Sequence, residues 1–138
     1  MFITSNDYVK KVRDKALQQM IDDNPDILIE LEKDAQSYIE THLRPKYDTI
    51  NIFNKTGADR HRDVVMCMLD IILYWLTMRI APKQAQETRV KLYEDVTKWL
   101  SDVAKGKIAP DLPILEPSKN MPSGFRLTSK QPPQDFTF

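Results

Sequence analysis

Apolar residues recur along this chain at steps of three and four, the spacing that places them on one face of an α-helix. The clearest case lies between Pro25 and Leu43, where the opposite face is largely acidic. Pro25 suits the first turn of a helix, and Pro45 prevents its continuation. The pattern therefore predicts a helix from about Pro25 to about Leu43, whose inward stripe is Leu28, Leu31, Ala35, Tyr38, Ile39 and His42.

Three other stretches have helical character. The first covers Asp7–Val12 and either continues or restarts through Ala16, Leu17, Met20 and Ile21. Another, from about Asp59 to about Ile80, is apolar on most sides, so it is expected in the centre of the fold or under another subunit. The last runs from about Pro82 to Lys105, with Gly106 as the expected left-handed residue after its end. Its inward stripe is Leu92, Tyr93, Val96, Trp99, Leu100 and Val103.

Residues 44–60 form a connection that is long for a compact bundle. Residues 49–53 have β character, and an apolar strand-like stretch inside a long loop needs a partner surface. Basic residues flank the loop. They would contact a phosphate backbone if the loop lined a DNA channel, or simply keep an exposed loop soluble, and both readings stay open. The expected contact residues are Arg44, Lys46, Tyr47, Ile50, Ile52, Phe53, Lys55, Arg60 and Arg62.

The chain changes character after Ile108. Six of its nine prolines lie between Pro110 and Pro133, where helical periodicity disappears. Such a segment cannot bury a core of its own, yet it retains large apolar residues, so we expect an arm that becomes ordered on a partner. Cutting the chain after Ile108 should then leave the fold intact. The expected anchors are Leu112, Ile114, Leu115, Phe125, Leu127, Phe136 and Phe138.

Together these patterns predict an all-α fold. It is a small bundle of about four helices, with a long loop between the second and third main helices and an extended C-terminal arm. The expected division is a helical domain over residues 1–108 and a Pro-rich arm over residues 109–138. The 138 residues suit one modest hydrophobic core.

Formal charge is balanced overall but not along the chain. The net charge of zero argues against a dedicated nucleic-acid binder. Residues 14–40 hold eight acids and two bases, whereas residues 42–91 hold nine bases and five acids. Opposite local charges suit head-to-tail packing of identical copies, although two solvated faces would look the same.

Targeting and membrane signals are weak. The first residues lack the apolar core of a signal peptide. The longest apolar stretch, residues 64–80, is interrupted by Asp70 and Arg79, so no membrane contact is expected. The single cysteine excludes a disulfide within the chain.

Metal-ligand and cofactor motifs are not apparent. Asp22, Asn24 and Asp26 occupy alternate positions of an EF-hand-like pattern, but Ile27 and Lys33 stand where that loop needs glycine and glutamate. Helix capping explains these residues better. Of the two histidines, His42 is expected to be partly buried near a helix end and His61 to be exposed, and neither has ligand spacing. We expect no metal, no cofactor and no catalytic residue.

Asp70 is the one residue out of keeping with its surroundings. It lies among apolar side chains in the third predicted helix, where a buried carboxylate needs a cationic or hydrogen-bonding partner. Arg89, Lys91 or a neighbouring subunit would supply one. Because no second catalytic group accompanies it, we expect a structural or interface role. Cys67, in the same helix, is expected to be inert packing.

The order of these features resembles the small head–tail connector proteins of tailed bacteriophages, in particular the Mu-like prophage type. The resemblance covers residues 1–109 and is clearest at its end, where that family has a similar pattern of Tyr-Glu-Asp-Ala, Trp-Leu and a basic Gly-Lys. This chain has a less Pro-rich loop and a longer tail. The segments that carry the resemblance are Arg44-Pro45-Lys46-Tyr47, Asp70-Ile71-Ile72-Leu73-Tyr74, Tyr93-Glu94-Asp95-Val96, Trp99-Leu100 and Val103-Ala104-Lys105-Gly106-Lys107-Ile108.

The resemblance implies a structural adaptor subunit and not an enzyme. It would form a ring with copies of itself, matched to the portal beneath which it lies, extend the DNA channel and join head to tail. Implied partners are the portal protein and the next tail-side connector or tail-completion protein, with non-specific contact to DNA in the channel. The implied location is the virion neck, and the host bacterial cytoplasm during assembly. The alternative is a helical regulatory or DNA-binding module that uses the basic loop.

Overall fold

The computed structural model describes residues 2–80 and 87–115, and these form an all-α fold, as predicted. Within them there is no β-strand, only a single antiparallel bridge between Tyr47 and Ile114. A 3-10 turn, Gly57–Asp59, precedes the longest apolar helix. The helices are α1 Ser5–Val9, α2 Asp14–Met20, α3 Pro25–Leu43, α4 Thr49–Phe53, α5 Arg62–Ile80 and α6 Glu87–Ala104.

Helix α5 forms the centre of the bundle. It packs against α3 and α6 and, at fewer positions, against α1 and α2. Helices of the same chain therefore cover most of the apolar surface of α5, which is the first of the two expected explanations. Only Met66, Met78 and Ile80 among its large apolar residues are exposed. The residues of α5 with no exposed surface are Val64, Ile71, Ile72, Leu73 and Leu76.

The two helices that cover α5 present the predicted apolar stripes. On α3, Ala35 and Ile39 of the predicted stripe are fully buried, as is Leu43 outside it, and on α6 Leu100 and Val103 are fully buried. Hydrophobic burial on this scale contributes about 1.5–3 kcal/mol for each large aliphatic side chain. The helical periodicity therefore identified correctly the faces that form the core.

The end of α6 confirms the expected role of Gly106. Its φ of 81° is left-handed, its N–H donates to Val103 O over 3.1 Å, and Lys107 N donates to Asp102 O over 2.8 Å. These two bonds form a Schellman motif, which satisfies carbonyls that the helix itself leaves free. The Nζ of Lys46 lies 2.8 Å from where a Cβ on Gly106 would be, but this exposed side chain can move away, so the positive φ is what favours glycine here.

The first helical stretch is interrupted and not continuous. Helix α1 starts with a capping box between Thr4 and Asp7, and the extended backbone of Arg13 (φ −70°, ψ 141°) begins α2 anew. The link to α3 has two consecutive residues in the left-handed region, Asp22 (φ 54°) and Asp23 (φ 55°). Each costs roughly 1–2 kcal/mol relative to a right-handed conformation.

The β character expected for residues 49–53 is wrong, because this segment forms α4. Asp48 explains the difference, since its Oδ1 accepts from Asn51 N over 3.2 Å and its Oδ2 accepts from the Asn51 side chain over 2.7 Å. This N-cap favours a helical turn over the β-propensity of the isoleucines. The third predicted helix likewise starts at Arg62 and not at Asp59, because the 3-10 turn occupies residues 57–59.

Candidate interaction surfaces

The start of the C-terminal arm lies on the long loop. Asp48 N donates to Pro113 O over 2.8 Å, and Leu115 N donates to Lys46 O over 3.1 Å. Leu112 is buried in the core, although it lies beyond the expected boundary at residue 108. The segment up to Leu115 therefore packs as part of the domain. The other expected anchors, Phe125, Leu127, Phe136 and Phe138, lie outside the described residues.

Three of the expected loop contacts are core residues. Tyr47, Ile52 and Phe53 are at most 9% exposed, and the Phe53 ring meets the ring of Phe2 edge-on at 4.9 Å between centroids. The helical turn of α4 directs Ile52 and Phe53 inward, whereas Tyr47 precedes it and forms the bridge with Ile114. The partner surface that the loop was expected to need is thus the core of its own domain.

Five of the six remaining loop residues are accessible, and the sixth, Arg60, is partly buried. Arg44, Lys46, Lys55 and Arg62 are exposed, and so is Ile50, at 77%. Lys55 and Arg62 line an open cleft of about 490 Å³ between the loop, the start of α5 and the arm. Carboxylates share that cleft, so its surface is mixed in charge. They belong to Asp59, Asp63 and Asp111.

Arg60 connects the loop to the N-terminus of the chain. Its Nη1 and Nη2 donate to the two carboxylate oxygens of Asp7 over 2.6 and 3.0 Å. Nη1 also donates to Phe2 O over 2.6 Å, and Nε donates to Gly57 O over 2.8 Å. The guanidinium holds the pKa of Asp7 below its usual value. An arginine side chain held by four such bonds stabilises the domain and is not free to contact DNA in a channel.

Sequence reasoning overlooked Asp7, although a signal for it exists. Thr4 and Asp7 have capping-box spacing, and Asp7 Oδ2 accepts from Thr4 N over 2.7 Å. The bond to Arg60 spans 53 residues and has no local signature.

Asp70 is buried between two cations, Lys11 from the link between α1 and α2 and Arg89 from α6. Its Oδ1 lies 3.0 Å from Lys11 Nζ and 3.9 Å from Arg89 Nη1. The shorter contact lacks hydrogen-bond alignment, so the attraction is mainly that of charges at close range. Arg89 was an expected partner and Lys11 was not, whereas Lys91 pairs with Asp95. Arg89 also donates to Lys11 O over 3.2 Å, which closes the cluster.

A second buried carboxylate belongs to Glu32. The hydroxyl of Tyr8 donates to its Oε2 over 2.6 Å, and both residues are buried. Burial raises the pKa of Glu32 above its ordinary value, while the Tyr8 hydrogen bond opposes that shift. The same surroundings raise the pKa of Tyr8. The pair joins α1 to α3.

The two histidines are partly buried and the cysteine is buried. His42 lies in the last turn of α3 with its Nδ1 3.0 Å from Tyr38 O, and His61 is half-buried and not exposed as expected. Burial, with the charges of Asp70 and Asp63, raises the pKa of Cys67 to about 12. Asn24 caps α3 by accepting from Asp26 N over 3.1 Å, which confirms the capping interpretation.

Two absences concern only residues 2–80 and 87–115. No group of three potential metal-ligating side chains occurs there. None of the helices in these ranges has the length and apolarity needed to cross a membrane.

The fold and its surfaces thus describe a small helical domain with accessible contact residues on its loop and arm. The family model described as Bacteriophage Mu, Gp36 matches residues 2–129, nearly the whole chain. The chain therefore belongs to this family of Mu-like phage proteins, which supports a structural or assembly role in a phage. Neither the curated proteins nor the solved structures gave a match.

Proposed function

We propose that this protein is a head–tail connector subunit that forms a ring beneath the phage portal, extends the DNA channel and joins head to tail. The observation that carries the proposal is the exposed apolar surface where the arm lies on the loop. Ile50, Ile114 and Leu115 are 77%, 72% and 52% exposed. Exposed aliphatic residues on two segments that contact each other suit a protein–protein interface.

Family membership and the layout of the chain support this role. Because the chain belongs to a Mu phage family, we expect its binding partner to be an assembly protein of the same phage. Leu115 N donates to Lys46 O, so the last described residue of the arm lies beside the loop. An arm with apolar anchors that starts there would extend the same contact surface.

The test is co-sedimentation of the full-length protein with the portal protein of the same phage, followed by electron microscopy. The proposal expects a ring of this protein stacked on the portal. Ile50→Lys and Ile114→Lys should each weaken portal binding by about tenfold or more, because they place a charge in a desolvated contact. Ile80→Lys is the matched control, since Ile80 is 49% exposed at the far end of α5.

The arm is tested by truncation. Because Leu112 is buried and Leu115 is hydrogen-bonded, the informative cut comes after Leu115 and not after Ile108. Removing residues 116–138 should leave the helical content unchanged and weaken portal binding. A truncated protein that binds the portal like the full chain would exclude the arm from the contact. Failure of the full chain to bind the portal at low and moderate salt would overturn the connector role.

A further inference from the structure

A groove of about 500 Å³ separates α1 from the start of α5. Its floor is apolar and consists of Val65, Met66 and Leu69. Met66 is 50% exposed, so the described part of the chain leaves the apolar surface of α5 partly uncovered here. Methionine adapts its shape to a partner, which suits a docking floor.

Basic side chains form the rim of this groove. Lys11 and Arg60 are held by the buried carboxylates Asp70 and Asp7, which fix their positions. Lys10 and Arg62 are exposed, and within residues 2–80 and 87–115 neither takes part in an ion pair. An occupant should therefore combine an apolar contact with acidic groups.

The first turns of α3 have that chemistry. Ile29 is 37% exposed there, and the neighbouring carboxylates of Asp26, Glu30 and Asp34 are exposed as well. The turn before α3 adds exposed Asp22 and Asp23, whereas Lys33 is the one base between residues 22 and 34. This acidic patch, defined as Asp26, Ile29, Glu30 and Asp34, complements the basic groove in both apolar and charged character.

The two surfaces lie on different sides of α1. Asp7, Lys10 and Lys11 line the basic groove, whereas Tyr8 faces the start of α3 and lines a depression shared with Ile29. One chain cannot bring its own acidic patch across α1 into its own groove. Two different surfaces that fit each other on identical chains give a head-to-tail contact, which closes into a ring when the rotation permits.

We infer that the basic groove receives the acidic patch of a second copy of this chain, and that this contact joins neighbouring subunits. The inference rests on the proposed connector function and deepens it, because it names the surfaces by which the ring forms. Opposite charges at the rim would speed association and fix its register, while Ile29 and Met66 meet between them.

The test uses two charge-reversed variants of the full chain, measured by sedimentation velocity at low and high salt. Lys10→Glu with Arg62→Glu makes both surfaces acidic, and Asp26→Lys with Glu30→Lys makes both surfaces basic. Each variant alone should self-associate about tenfold or more weakly than the wild type, because like charges then meet. An equimolar mixture should recover association, since the two variants can alternate. Lys15→Glu with Lys91→Glu is the control, as both lysines are exposed and outside the groove and patch.

The apolar part of the contact is tested separately. Met66→Gln should weaken self-association, whereas Met78→Gln, on an exposed methionine at the other end of α5, should not. The inference is overturned if wild type stays monomeric at all soluble concentrations with and without the portal, if the variants associate normally, or if the mixture fails to recover. It is also overturned if Lys10→Glu with Arg62→Glu abolishes binding of duplex DNA but leaves self-association unchanged.

These results are distinguishable from those that bear on the connector role. Charge-dependent self-association without portal binding would overturn the connector and leave the subunit contact. A portal-bound ring that still forms from the charge-reversed variants would overturn the subunit contact and leave the connector role.

Discussion

Arg60→Ala tests whether the Asp7–Arg60 pair fastens the N-terminus to the bundle. The change removes four hydrogen bonds, two to the Asp7 carboxylate and one each to Phe2 O and Gly57 O. Breaking a buried ion pair by removing one partner costs roughly 3–5 kcal/mol. Asp7 keeps its bonds from Thr4 N and Thr4 Oγ1, so its carboxylate stays partly satisfied and the lower end applies. We expect a loss of about 3 kcal/mol in the free energy of unfolding.

The assay is urea unfolding followed by far-ultraviolet circular dichroism. Arg62→Ala is the matched control, because Arg62 is exposed and should change stability by no more than about 0.5 kcal/mol. Arg60→Lys should give an intermediate loss, since an ammonium cannot reproduce the bidentate bond to Asp7.

The pH dependence provides a second readout of the same pair. The folded-state pKa of Asp7 is lowered below its ordinary value of 3.8, mainly by the Arg60 hydrogen bonds. The resulting stabilisation is fully present above the ordinary value and is lost as pH falls through the folded pKa. Wild type should therefore lose more stability below pH 3.8 than Arg60→Ala does. If Arg60→Ala is as stable as Arg62→Ala, or if the acid profiles are parallel, the fastening role is refuted.

Three further substitutions or reactions test other parts of the fold. Tyr8→Phe should cost about 1.5–3 kcal/mol at pH 7, because it leaves the Glu32 carboxylate without its hydrogen bond. The loss should be smaller near pH 4.5, the ordinary carboxyl pKa, because the raised pKa of Glu32 increases the neutral fraction of its carboxyl there. Equal losses at both pH values would contradict this. Gly106→Ala should destabilise by about 1 kcal/mol in thermal unfolding, because alanine is strained at φ 81°. Unchanged stability would refute the need for a left-handed residue at this helix end. Cys67 should react with a thiol reagent at least about 100-fold more slowly in the native than in the urea-unfolded protein, and equal rates would exclude its burial.

Sequence patterns predicted the charged contacts between distant segments less well than any other part of the structure. Asp70 was recognisable because a carboxylate stood among apolar positions of one helix, and Arg89 was among its expected partners. Lys11 was not, because the break between α1 and α2 that brings it near Asp70 has no strong sequence signal. Arg60 was taken for a loop cation, since nothing in its surroundings along the chain points to Asp7.

The apolar stripes of α3 and α6, the nearly uniform apolar surface of α5 and the left-handed Gly106 were all determined by the sequence, because each depends on residues within a few turns of one another. Only the tertiary structure decided which side chains of the loop and of α5 stay exposed to solvent. Tyr47, Ile52 and Phe53 were expected to be contact residues, but their side chains are buried in the core, whereas Met66 of the apolar helix α5 is half exposed. Local propensity fixes helices and caps over a few residues, but burial and ion pairing depend on which distant segment occupies the space beside each side chain.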